Sequence, residues 1–265
     1  MLASMEILIR PDPAAASATA AAVVAHLVRG KPACVLGLAT GRTPVSLYRE
    51  LIRMHRDDGL DFSRVTTFNL DEYAGLGPAH PQSYRYFMDT EFFRHINIRP
   101  DNTYVPDGCA ADLRQECRDY EKRIRDAGGI DLQVLGLGSN GHIGFNEPTG
   151  SLGSRTWIKI LSQSTIRDNS DLFDKPGDVP RHCITMGIGT ILEARHNLLL
   201  AFGPKKARAL AAMIEGPVTA MCPASALQFH PRVTVVADEA AAAALSQPGH
   251  YHWIEKNKLD WQDYG

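Results

Sequence analysis

Five cysteines, none of them in a C-x-x-C spacing, leave this 265-residue chain without a disulfide framework or a cysteine zinc site. They stand at 34, 109, 117, 183 and 222, an odd and scattered set that fits reduced thiols. No apolar run reaches the ~18 residues that a membrane span requires. The opening residues run into Arg10 and Pro11, which is not the pattern of a secretory leader. An excess of charge of either sign is also missing. The net charge is −2, neither half is strongly basic, and no Lys/Arg run occurs. A non-specific nucleic-acid partner and a polybasic membrane anchor are therefore excluded. Internal repeats, low-complexity linkers and breaks in composition are absent as well. The expectation is a cytoplasmic globular protein with no nucleic-acid or membrane partner.

What is present is an alternation of apolar runs and helical patterns, with 44% hydrophobic and 22% charged residues overall. Short strands are predicted at residues 6–10, 33–38, 65–68, 130–135, 197–202 and 232–237. Several are continuous apolar runs, as strands buried on both faces look. Between them lie helical segments. Asp12-Pro13 is an N-cap followed by proline at the first helical position, for a helix ending at Gly30. Thr43 can cap and Pro44 can start a second helix, to about His55. Further helices are expected at residues 84–95, 112–127, 165–173, 203–215 and 238–245, and a polar, aromatic tail closes the chain. The reading is an α/β fold with a single doubly wound, mostly parallel sheet and helices on both faces, Rossmann-like. It spans residues 1–265 as one domain, with a mobile lid near 151–180.

Chemistry concentrates in three loops. Residues 136–148, Gly-Leu-Gly-Ser-Asn-Gly-His-Ile-Gly-Phe-Asn-Glu-Pro, follow a predicted strand and hold four glycines, Asn140, His142 and Glu147. The G-x-G-x-x-G spacing formally matches a dinucleotide fingerprint, but no amphipathic helix follows it, so that reading fails. His142 with Glu147 lacks a third ligand of convincing spacing, so no metal is assigned. A histidine oriented by a carboxylate, working as a general acid/base, explains the pair better. The second loop, Gly37-Leu-Ala-Thr-Gly-Arg-Thr-Pro44, joins a strand to a helix. Bare N–H groups at a helix N-terminus bind phosphate. It is not a Walker A loop, because its glycines are too close and Arg42 stands where lysine is required. A phosphorylated small molecule fits better than a nucleoside triphosphate. The third, Phe68-Asn-Leu-Asp-Glu-Tyr73, places two carboxylates past a strand end, as a general base or as caps and solvated charges. Lys205-Lys206 at a helix start oppose the helix dipole, which hints at a bound anion.

Together with His80-Pro-Gln-Ser-Tyr84 and Leu227-Gln-Phe-His-Pro231, these motifs resemble the glucosamine-6-phosphate deaminase family, in order, from about Val35 to Asp238. The resemblance implies conversion of glucosamine 6-phosphate and water to fructose 6-phosphate and ammonia, without a redox cofactor or metal. By it, His142 matches the ring-opening acid/base, supported by Glu147 and Asn140. Asp71 matches the base that takes the C2 proton and returns it to C1. Thr40, Gly41, Arg42 and Thr43 match the phosphate turn, and Lys206 matches a lysine that approaches the same phosphate. Three positions depart from the allosteric members. Asn140 stands where many have aspartate, with activity expected to survive. Asp171 replaces a phosphate-binding arginine, for which Arg167 is the substitute one helical turn earlier. Trp157 replaces a cation of the activator site, which implies weak or absent activation although Ser151 and Lys159 remain. A homo-oligomer is compatible with this reading. Two rivals are a 6-phosphogluconolactonase, which needs no base at C2, and a sugar-phosphate-sensing effector domain, which would follow a DNA-binding segment.

Overall fold

The computed structural model describes residues 4–163, 166, 167, 173, 175 and 178–258. Its strands are β1 (Ser4–Arg10), β2 (Val35–Leu38), β3 (Thr66–Asn69), β4 (Asp71–Tyr73), β5 (Thr103–Tyr104), β6 (Leu132–Gly136), β7 (Trp157–Ile160), β8 (His182–Thr185), β9 (Asn197–Ala201) and β10 (Arg232–Asp238). Seven of them form a sheet in the order β1-β10-β9-β6-β2-β3-β5. Every pairing in it is parallel. The central strands are mostly apolar, with Gln133 and Asn197 as buried polar exceptions, and Leu36, Leu132, Val134, Leu135, Leu198 and Leu199 are wholly buried. Helices cover the sheet, which is why its strands show no alternation.

The early helices are α1 (Pro13–Gly30), α2 (Arg42–Asp58), α3 (Tyr84–Glu91) and α4 (Leu113–Asp126). Asp12 caps α1 by accepting the Ala15 N–H at 2.8 Å, as its sequence predicts. Helix α2 differs from expectation. It begins at Arg42 rather than Pro44, with Gly41 as its N-cap at φ 98° and no side-chain cap. Only glycine takes that φ readily, so the turn can be tighter than a threonine cap allows. The expected 203–215 helix is a 3-10 turn, Pro204–Lys206, followed by a helix at Ala207–Ile214. The tail forms a helix at Pro248–Lys256, which pins itself through Arg10–Glu255 at 2.7 Å. Among the described residues, no helix is long and apolar enough to cross a membrane.

A second sheet was not foreseen. Strands β4, β8 and β7 form a small antiparallel sheet in that order. The stretches at 69–83, a polar loop, and 151–164, a Ser/Thr-rich segment, show no strand signal, because strands of three and four residues are too short to carry a period. Strand β7 lies inside the expected lid, and the helix expected at 165–173 falls mostly outside the described residues.

Candidate active site

The strand order reverses between β2 and β6. From β2 the chain steps outward to β3 and β5, returns to β6, and continues the other way to β9 and β10. Loops leaving two neighbouring strands in opposite directions open a crevice at their carboxyl ends. A cavity of about 360 Å³ occupies it, walled by residues 39–44, Leu70, Asp71, Tyr84, residues 136–139, His142, Gly144, Phe145 and Lys206. All three chemically loaded loops of the sequence meet there.

One end is built for an anion. The uncapped start of the 17-residue helix α2 leaves its first main-chain N–H groups for a ligand, and the helix dipole favours negative charge there. Thr40, Gly41, Arg42 and Thr43, at this helix start, line the cavity, and Lys206 is also part of its wall. The Lys206 turn is held by buried Asp238. Both of its carboxylate oxygens accept the Gly203 N–H at 3.0 Å, and it also accepts from Ala241 at 2.8 Å. Arg167 is exposed and is not part of the cavity wall, and Asp171 lies outside the described residues.

The two adjacent carboxylates have different surroundings. Successive side chains of a strand point to opposite faces, so β4 sends Asp71 into the cavity and Glu72 away from it. Glu72 accepts main-chain N–H bonds from Tyr73 at 2.8 Å, Tyr84 at 2.9 Å and Arg85 at 3.0 Å. It ties down the start of α3, a structural duty. Asp71 is 6% exposed. Burial, with the Glu72 charge beside it, pushes its carboxyl up to about 8. Replacing Glu72 by alanine strands three N–H donors and is expected to cost about 2–4 kcal/mol of stability, measured by denaturant unfolding. Glu72→Gln removes the charge and should lower the pH at which Asp71 titrates; an unmoved pH profile would contradict the electrostatic account.

His142 rests on a glycine platform. A Cβ at Gly138 would lie 2.2–2.4 Å from three atoms of its ring. Asn140 Oδ1 accepts the His142 main-chain N–H at 3.2 Å and meets ring Nδ1 at 2.6 Å. A main-chain N–H only donates, so the Asn140 atom facing it is the oxygen, and Nδ1 must carry the proton shared with it. That leaves Nε2 to exchange protons in the neutral ring. Glu147 is buried, accepts from Ser162 N–H at 3.2 Å and Ser162 Oγ at 2.5 Å, and lies 3.9 Å from Lys159. It stands behind the cavity wall rather than in it.

Two features of the site had no role in the sequence reading. Tyr84, within the quoted His80–Tyr84 motif, forms part of the wall and stacks on Phe145, with ring centroids 6.0 Å apart. Thr185 on β8 pairs in register with Asp71, and its Oγ1 accepts the Phe145 N–H at 3.1 Å. It thus joins the base-bearing strand to the histidine loop. Strands as short as these carry no periodicity from which that contact could be read.

Residues 12–236 match the model of the family described as glucosamine-6-phosphate isomerases/6-phosphogluconolactonase. A glucosamine-6-phosphate deaminase of Arthrobacter sp. (strain FB24) is 52% identical over 258 residues, 97% of this chain and 99% of that one. One from Hahella chejuensis is 52% identical over 255 residues, 96% and 97% of the two chains. Among solved structures, a monomeric glucosamine-6-phosphate deaminase aligns with a TM-score of 0.89 at 44% identity, over 91% of this chain and all (100%) of that one. A 6-phosphogluconolactonase from Trypanosoma brucei aligns at 0.74 with 17% identity, over 92% and 99%, a likeness of fold alone.

Proposed function

This chain belongs to the family of glucosamine-6-phosphate isomerases and 6-phosphogluconolactonases, and within it we propose that it converts glucosamine 6-phosphate and water to fructose 6-phosphate and ammonia. The observation that carries the reading is Asp71: a buried carboxyl, held up to about 8, opening on the same cavity as a helix N-terminus and a histidine. Lactone hydrolysis needs no base at a sugar carbon. The lactonases that align share the fold at low identity, whereas relatives near half identity carry the deaminase name.

The chemistry divides among the three loops. The phosphate sits on the N–H groups of residues 41–43 with Lys206 beside it, and fixes the sugar along the crevice. His142, aligned by Asn140, moves a proton between the ring oxygen and the anomeric hydroxyl, which opens the ring. Glu147 supports this step from behind the loop. Asp71 then takes the C2 proton, giving an enolamine, and returns it to C1. The resulting imine at C2 takes up water and releases ammonia, so atoms balance and the C–N cleavage is hydrolytic overall. No redox change occurs, and the same carboxyl serves both proton transfers. A base near neutrality suits both, since it must accept a proton readily and give it back.

We read the whole chain as one catalytic unit acting in the cytoplasm in amino-sugar catabolism. The direct test mixes purified protein with glucosamine 6-phosphate and measures ammonia and fructose 6-phosphate. Product should form between about pH 6 and 9, with turnover rising toward the alkaline side as Asp71 ionises. Hydrolysis of 6-phosphogluconolactone without ammonia release from the amino sugar would reverse the assignment. Inorganic phosphate should compete with the substrate, and Lys206→Ala should weaken that competition.

A further inference from the structure

We propose that Trp157 is a positioning residue that holds the loop carrying His142 in its working arrangement, acting from the small sheet through Asn146. This rests on the functional reading above and adds a residue to it. The three residues after Gly144 are each held from that sheet. Phe145 donates its N–H to Thr185 Oγ1 at 3.1 Å. Asn146 Oδ1 accepts the Trp157 indole N–H at 3.3 Å. Glu147 lies 3.9 Å from the Lys159 ammonium, which itself sits over the Trp157 ring at 5.4 Å from its centroid. The same sheet carries Asp71, paired with Thr185 on β8, and Thr185 pairs on its other side with Trp157. One rigid unit therefore sets the spacing between Asp71 and the loop after His142.

Asn146 is the element on which the indole acts. It is 2% exposed, and its Nδ2 donates to Ile143 O at 3.0 Å and to Met186 O at 2.7 Å. The first bond closes the turn that begins one residue after His142. The second ties that turn to the strand end of β8. Asn146 can keep both donors in place only while its buried oxygen has a donor of its own. Without the indole N–H, the amide gains by rotating toward another donor, and the turn beside His142 loosens. The indole also steadies the Lys159 cation beside Glu147 through its ring face.

The test compares wild type, Trp157→Phe, Asn146→Ala and the double variant. Phenylalanine keeps an aromatic face for Lys159 and removes the N–H together with part of the ring's volume, so the comparison with Asn146→Ala and the double variant isolates the share carried through Asn146. Amide hydrogen exchange across residues 143–147 should quicken in Trp157→Phe while that of β6 stays unchanged. Turnover should fall about tenfold, as a displaced reacting group requires. KM should stay within about twofold, because the phosphate turn is untouched. The double variant should be no worse than Asn146→Ala, the sign of two residues acting as one unit. Unchanged exchange in the loop, or fully additive losses, would overturn the proposal. A wild-type protein that makes no fructose 6-phosphate would overturn the functional reading instead, and the exchange measurement would still decide this one.

Discussion

Replacing Asp71 by asparagine is expected to abolish turnover and, in the same molecule, to make the protein harder to unfold at alkaline pH. The first effect follows from the role of the group: a general base contributes on the order of 10²–10⁴ in rate. Asparagine keeps the shape and cannot accept the proton. Exchange of the C2 hydrogen with solvent should therefore cease, while phosphate binding and ring opening at His142 persist. The second effect follows from burial. The carboxyl is raised from 3.8 to about 8 in the fold, so the fold prefers its neutral form. The stability tied to that proton is complete below pH ~4 and is lost as the pH rises toward 8, because only the unfolded chain then carries a solvated carboxylate. Asparagine has no charged form. The variant should gain little at pH 4 and a few kcal/mol at pH 9, seen as a melting temperature higher by several degrees. A pH-independent difference, or a less stable variant, would show that Asp71 is not held in the way its burial implies. The trade of stability for a poised base is what an active-site group of this kind should display.

Gly138→Ala is expected to cost activity while leaving folding nearly unchanged. The added Cβ would stand 2.2–2.4 Å from the His142 ring, closer than carbon atoms approach. No main-chain atom is among its three nearest contacts, so relief comes from swinging the imidazole away. That swing breaks the 2.6 Å contact of Nδ1 with Asn140, which fixes the ring's proton and direction. Turnover should fall about 10²-fold, as for a misplaced acid/base group. The melting temperature should move by only a few degrees, since a half-buried ring on the cavity wall is displaced and the core is not. Interconversion of the sugar's anomers, which depends on ring opening alone, should slow with it. In Asp71→Asn the same measurement should stay near wild type. Activity retained in Gly138→Ala would mean that His142 works from another position.

The apolar runs of β2, β6, β9 and β10, the Asp12-Pro13 start of α1 and the glycine-rich turns follow from local rules, and they alone were enough for a parallel α/β sheet. Local chemistry was equally sufficient to mark the three loops, because bare helix N–H groups, a histidine among glycines and paired acids are unusual wherever they occur. What no local rule contains is the division of labour within the pair Asp71 and Glu72. The two have the same chemistry and adjacent positions, and only the pleat of β4 decides that one faces a cavity and the other three main-chain N–H groups. The small sheet behaves likewise. Its strands of three and four residues are too short to carry a period, and their partners lie as many as 114 positions apart, as Asp71 and Thr185 do. Sequence by itself determined which groups this protein has for acid–base and phosphate chemistry. The tertiary structure decided which of them share a space, because burial, pairing register and the direction of a side chain arise only when distant segments meet.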